Sequence, residues 1–180
     1  MTTIMKKIEN WFISKFVSLV DSHSAVRNSL LDEPGLEEAF DTFDSRNYSD
    51  AFQMFLVSAE LGNAAAQYNV GVCYETNSGI LQNDSAAEEW YRKAAEQDLG
   101  KAQYAFSCLL AGDIMSGNDR HSKEEQDRKM VEEYMWLTIA NEQGYSESSS
   151  SFKRVAAHMN PEQIEEAEML AREWIEKRRQ

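Results

Sequence analysis

Apolar residues in this chain recur at helical spacing, and one block of them occurs twice at a fixed interval. Ser58-Ala59-Glu60-Leu61 followed by Ala65-Ala66-Gln67-Tyr68 returns as Ala94-Ala95-Glu96-Gln97 followed by Lys101-Ala102-Gln103-Tyr104. Tyr68 and Tyr104, Ala59 and Ala95, and Met54 and Trp90 are each 36 residues apart. A constant interval of this size marks a stack of helix pairs, each pair burying its apolar face against the next.

The pattern predicts a first helix over residues 4–20, with Ile4, Ile8, Trp11, Phe12, Phe16 and Leu19 on one side and Lys15 within that side. A buried lysine is costly unless its stem reaches a polar edge, so this helix is expected on a protein surface, capping the stack or meeting a partner or membrane. A short helix over Ala25 to Leu31, capped by Ser24, follows, and Pro34-Gly35 marks a break that separates an extension (1–34) from the repeat region (35–180). From Leu36 the pairs begin. Leu36, Ala39, Phe40 and Phe43 predict one helix, and Ala51, Phe52, Phe55 and Ala59 predict the next, capped by Ser49 and ended by Gly62. Ala66, Val70, Gly71 and Tyr74 predict a third, and a loop from Thr76 to Asn83 leads to a helix capped by Asp84 and carrying Ala87, Trp90, Tyr91, Ala94 and Ala95.

A third copy is displaced. Trp136, Ala140 and Gly144 align with Trp90, Ala94 and Asp98 at an offset of 46. The extra residues predict an enlarged loop from about Gly112 to Arg128, with the following helix extended backward through Glu124 to Met130. Ser148 to Ser151 is a poor helix-forming run, so the helix over 146–158 is expected to start raggedly. Asn160-Pro161-Glu162 opens a last helix with a cap, a first-turn proline and an acidic residue, and Ile164, Ala167, Leu170, Ala171 and Trp174 form its apolar stripe.

Charge changes the picture. The chain of 180 residues carries a net charge of −13, with −8 on residues 35–112. Phosphate backbones need clustered Lys and Arg, so a nucleic-acid partner is excluded. An acidic surface on the repeats serves solubility or meets a basic partner. Cys73 and Cys108 lie in apolar helical stretches with no disulfide or zinc spacing and are expected to be buried free thiols, which favours a reducing compartment. Lys6 and Lys7 before an apolar run resemble a signal peptide, but Glu9 and Lys15 interrupt it and no small-residue cleavage site follows. A cytoplasmic protein is expected, with the periplasm as the alternative, and the run is too short and charged to span a bilayer.

The residues Gly62-Asn63-Ala64-Ala65-Ala66-Gln67-Tyr68-Asn69-Val70-Gly71, with Tyr74 following, resemble the Sel-1-like repeat family, variable-length relatives of the tetratricopeptide repeats. So do Trp90-Tyr91-Arg92-Lys93-Ala94-Ala95-Glu96-Gln97, and Tyr134 to Gly144 with Met159 to Ile164 is similar to the end of many bacterial members. The resemblance covers about residues 36–176 and implies an all-α solenoid of antiparallel helix pairs, a tetratricopeptide-like superhelix, with the N-terminal helix as its cap. Asp98 and Ser107 stand where the family prefers glycine, and Ser150 replaces an expected aromatic.

The resemblance also implies function. In such stacks the first helix of each pair lines a concave face, which would carry Tyr68, Val72 and Glu75, then Lys101, Tyr104 and Cys108, then Glu147 and Arg154. Tyrosines there supply rigid amphipathic area for recognition, or else pack between repeats. The expected function is a non-enzymatic module holding a partner protein. The alternatives are an immunity protein neutralising a bacterial toxin and a periplasmic or membrane-associated scaffold. Catalytic and metal sites are not expected: His23, His121 and His158 are far apart, Asp113, Asp119 and Asp127 lack calcium-loop spacing, and no phosphate loop or nucleophile elbow is present. Glu88-Glu89 and Glu165-Glu166 read as solvated helix charges, and no cofactor is implied.

Overall fold

A computed structural model of the chain describes residues 33–115, 122–145 and 148–178. These form eight helices and no strand: α1 (Glu33–Asp44), α2 (Tyr48–Glu60), α3 (Ala64–Thr76), α4 (Asp84–Glu96), α5 (Gly100–Met115), α6 (Lys123–Glu142), α7 (Ser148–Ala156) and α8 (Pro161–Arg178). The expected helices over 4–20 and 25–31 lie outside the described residues. The described helices divide between two compact units that meet within α4, at Ala87 and Glu88.

In the first unit α1 packs on α2 and α2 on α3. Ala39, Ala51, Phe52, Phe55, Ala59, Ala66, Val70 and Cys73 are its buried residues, and the small ones let helix axes approach while aromatic edges fill the gaps. Phe52 meets Tyr74 edge-on at 5.5 Å, and Phe40 meets Phe55 at 5.2 Å. Pro34 and Gly35, expected as a break, lie in the first turn of α1, where a proline's missing N–H costs no helical hydrogen bond. Gly79, at φ +80°, lies so close to α2 that a Cβ there would stand 2.1 Å from the Tyr48 carbonyl oxygen.

In the second unit α6 is central, packing against α5, α7 and α8. Trp136 is the hinge of its aromatic core, meeting Phe106 of α5 at 5.9 Å and Trp174 of α8 at 5.6 Å. Arg92 ties α4 to α6: its guanidinium stands 4.5 Å over the Phe106 ring, 2.5 Å from Glu132 and 3.2 Å from Glu88. Glu88 is therefore paired, whereas Glu89, Glu165 and Glu166 are exposed.

Four turns share one construction. The residue after each helix C-cap is left-handed, at Arg46 (φ 62°), Gly62 (φ 97°), Asp98 (φ 69°) and Gly144 (φ 89°). The next amide in each case returns to a carbonyl five residues back: Asn47 to Thr42, Asn63 to Ser58, Leu99 to Ala94 and Tyr145 to Ala140, at 3.1–3.3 Å. This is the Schellman arrangement, which satisfies carbonyls that a helix end leaves open. Asp98, a departure from glycine, accepts the left-handed strain and uses its carboxylate, which receives hydrogen bonds from Gln103 Nε2 and from Gln143 Nε2 on the next turn.

Helix starts differ from expectation by one or two residues. Asn47 precedes α2 and bonds Asp50 at 2.6 Å, displacing Ser49 from the cap. Asn83, rather than Asp84, caps α4 by accepting from the Ala86 amide at 3.1 Å. Asn160 and Gln163 form a reciprocal capping box at 2.8 and 2.9 Å, so α8 starts where the sequence placed it. α6 starts at Lys123, as the expected backward extension through Glu124 to Met130 requires, and the Ser122 side chain accepts from the Glu125 amide; at the other end of the expected loop α5 runs on past Gly112 to Met115. Good helix formers such as Lys123, Glu124 and Glu125, capped by Ser122, favour that backward extension.

Candidate partner-binding surface

The side chains expected on the concave face lie on partly open sides of their helices. On α3, Ala66, Gln67, Val70, Gly71 and Cys73 turn inward, leaving Tyr68 and Val72 half-buried and Glu75 exposed. On α5, Ala102, Gln103, Phe106, Ser107 and Leu110 turn inward, while Lys101 is exposed and Tyr104 half-buried. Thus neither tyrosine is a core residue. Cys108 shares the open side of α5 and is exposed, against the expectation of burial, because it stands one helical turn beyond Tyr104. Glu147 lies outside the described residues, as do His23, Asp119 and His121.

In the second unit the fold gathers Tyr104, Cys108 and Arg154. Tyr104 and Ser107 hydrogen-bond the Cys108 thiol, and Arg154 and Glu133 act on it through space. Partial desolvation outweighs these contacts and raises the thiol, which keeps it protonated and poorly nucleophilic at neutral pH. Cys73, fully buried in the first unit, is pushed up to about 11 by desolvation.

Glu133 was missed by the sequence reading. It stands mid-helix on α6, is only 2% exposed, and its Oε1 receives a hydrogen bond from Arg154 Nη2 of α7 at 2.7 Å. Burial pushes its carboxyl up to about 7, against the opposing pull of Arg154 and His158. A Glu in the pair Glu132-Glu133 looks solvated in sequence, and only the packing of α7 on α6 buries one member and leaves the other half-open to Arg92.

Beside this pair lies a cleft of about 440 Å³. Lys123, Asp127, Met130, Glu133, Arg154 and His158 line it. Its walls combine apolar carbon with charged tips. Among the described residues no three His, Cys, Asp or Glu side chains converge as a metal site, and no helix is long and apolar enough to cross a membrane. Glu133, the buried carboxylate among the described residues, is held by Arg154.

Comparison with known proteins supports the repeat reading. The Sel1 repeat model matches residues 43–63 and 64–99. Chitin synthase regulatory factor 3 of Schizosaccharomyces pombe is 27% identical over 70 residues, covering 39% of this chain and 8% of that protein. Chitin synthase regulator SKT5 of Saccharomyces cerevisiae is 31% identical over 91 residues, covering 51% of this chain and 12% of that protein. The chain thus spans about a tenth of the length of these curated relatives. Among solved structures, a protective antigen of uropathogenic Escherichia coli displaying an SLR fold superposes with a TM-score of 0.66 at 23% identity, covering 79% of this chain and 29% of that one. A Sel1 repeat protein from Oxalobacter formigenes gives a TM-score of 0.53 at 23% identity, covering 76% of this chain and 54% of that one.

Proposed function

We propose that this chain, which matches the Sel1 repeat at residues 43–63 and 64–99 and folds as the all-α helix-pair solenoid of its structural neighbours, is a non-enzymatic module that holds a segment of a partner protein on its helical-repeat surface. The observation that carries this reading is the open side of α5, where Lys101, Tyr104 and Cys108 are presented while Ala102, Gln103, Phe106, Ser107 and Leu110 are buried, with Arg154 joining them from α7. Tyr68, Val72 and Glu75 offer the same kind of side on α3 in the first unit. A tyrosine bounded by charge gives rigid contact area at low entropic cost, a composition recognition sites favour. Two relatives named as regulators of chitin synthase share the repeat, which favours an adaptor role over catalysis. Glu147 completes the proposed set from sequence alone.

A photo-crosslinking residue in place of Tyr104 tests this, with the same residue at Leu81, a 79% exposed loop position, as control. The expected result is one or more defined adducts from position 104 in host cells and none from position 81. Each purified partner should then bind the wild-type chain and lose at least tenfold in affinity with Tyr104→Ala. Equal labelling from both positions, or binding indifferent to Tyr104→Ala, overturns the assignment.

A further inference from the structure

On α1 an open apolar edge runs beside an acidic one. Ala39 turns inward, Leu36 and Phe43 are half-buried, and Phe40 is 40% exposed with its ring edge-on to Phe55 of α2. Phe43 continues the patch to Tyr48, itself exposed, at 4.9 Å. One residue further round the helix, Glu37, Asp41 and Asp44 form a parallel stripe, all exposed and in no ion pair with a described residue. The sequence holds a counterpart in residues 4–20, whose apolar side is interrupted by Lys15. We propose that residues 4–20 dock along α1 as an amphipathic helix, with their aromatic side chains against Phe40 and Phe43 and with Lys15 reaching across the apolar contact to the Glu37–Asp41–Asp44 stripe.

Charge selects this occupant. Residues 33–87 hold nine carboxylates and one base, Arg46, in the turn after α1. Residues 4–20 hold Lys6, Lys7 and Lys15 against Glu9. The connecting residues 21–32 bring Arg27 against Asp21 and Asp32, so they do not neutralise the stripe wherever they run. A second copy would set one acidic stripe against another if the two α1 faces met, and like charges repel. Docking on α1 also accounts for the lysine. Amid apolar residues a lysine is costly unless its stem lies on carbon and its head reaches a polar edge. The Phe40 ring and the stripe beside it offer both. The connection is long enough: residues 21–32 reach about 40 Å when extended, or about 25 Å with the helix expected over 25–31, against about 18 Å for the length of α1.

This inference goes beyond the partner-binding reading and does not depend on it. Its test uses the full chain, purified, with the photo-crosslinker benzoylphenylalanine in place of Phe40, and with the same probe at Leu81 as control. After irradiation and digestion, mass spectrometry should find an intrachain adduct between position 40 and residues 4–20, at a yield independent of protein concentration. Position 81 should give no adduct to that segment. Lys15→Glu should cut the yield from position 40 at least fivefold. Adding Glu37→Lys, Asp41→Lys and Asp44→Lys together to the Lys15→Glu chain should restore at least half of it, which also shows that the loss is one of charge and not of folding. No adduct to residues 4–20, an adduct that joins two chains and grows with concentration (a second copy on this face), a yield indifferent to Lys15→Glu, or no recovery on charge reversal overturns the proposal. The Tyr104 crosslinking experiment reports on the second unit, so the two failures are separable.

Discussion

Gln67 donates from Nε2 to the Ala59 carbonyl at 3.1 Å, from the first turn of α3 back to the last turn of α2. Thirty-six residues on, Gln103 makes the same bond to Ala95 at 3.3 Å. Both glutamines are buried, so each staples the two helices of a pair beneath their Schellman turn. The repeat in sequence is therefore also a repeat of one buried hydrogen bond. The second copy differs in that Gln103 Nε2 also reaches Asp98 and its Oε1 is buried with no hydrogen-bond partner among the described residues.

That difference predicts unequal mutants. Gln67→Met should destabilise by about 1 kcal/mol, the usual net worth of a buried hydrogen bond. Gln103→Met loses two longer bonds, to Ala95 and Asp98 at 3.3 Å each, but also removes an unsatisfied buried oxygen, and should fall within about 0.5 kcal/mol of wild type. Denaturant midpoints at constant m-value measure both, and a Gln103→Met cost equal to that of Gln67→Met would contradict the argument.

Gly79→Ala should destabilise by roughly 2 kcal/mol or more, because its Cβ would meet backbone of α2 at 2.1 Å and its φ is +80°. Gly62→Ala is the matched comparison: φ is +97°, but nothing lies within 4 Å of the added atom, so only conformational strain of about 1 kcal/mol is expected. Thermal melts of the two variants separate collision from strain.

Asp98 sets strain against bonding in one residue. Asp98→Gly should relieve about 1 kcal/mol of left-handed strain while losing the contacts with Gln103 and Gln143, and so lie near wild type. Asp98→Ala keeps the strain and loses the contacts. It should be less stable than Asp98→Gly by about 1 kcal/mol, read by chemical denaturation.

The pH dependence of stability should carry the signature of Glu133. Its folded carboxyl titrates at about 7, above the 4.5 of an exposed glutamate, so between these values the folded state binds the extra proton. Its contribution is fully present below pH about 4.5 and is lost as pH rises through about 7, by on the order of 1–3 kcal/mol. Glu133→Gln should remove this fall, making the variant relatively more stable than wild type at pH 8 than at pH 5. Arg154→Ala should do the reverse, costing more at pH 8, where it strands a buried charge, than at pH 5. Urea unfolding of the three chains across pH 5–8 measures the slopes.

The local features legible in the sequence were those carried by spacing and by residues whose backbone preferences are strong. The 36-residue interval, the left-handed turn at Gly62 and the Asn160-Pro161 start of α8 needed no neighbours to be read, because helical periodicity and capping chemistry act over a few residues. The open sides of α3 and α5 followed from the same periodicity, seen through the family pattern.

Tertiary structure decided the rest. Which of Glu132 and Glu133 is buried, that Cys108 is exposed while Cys73 is not, that Asp98 holds two glutamines, and that Arg154 closes on an acid 21 residues away all depend on where α7 lies on α6 and where one turn meets the next. Spacing along a chain fixes the direction of a side chain on its own helix. Desolvation and pairing are set by the neighbouring helix, and these made an ordinary glutamate the most perturbed acid among the described residues.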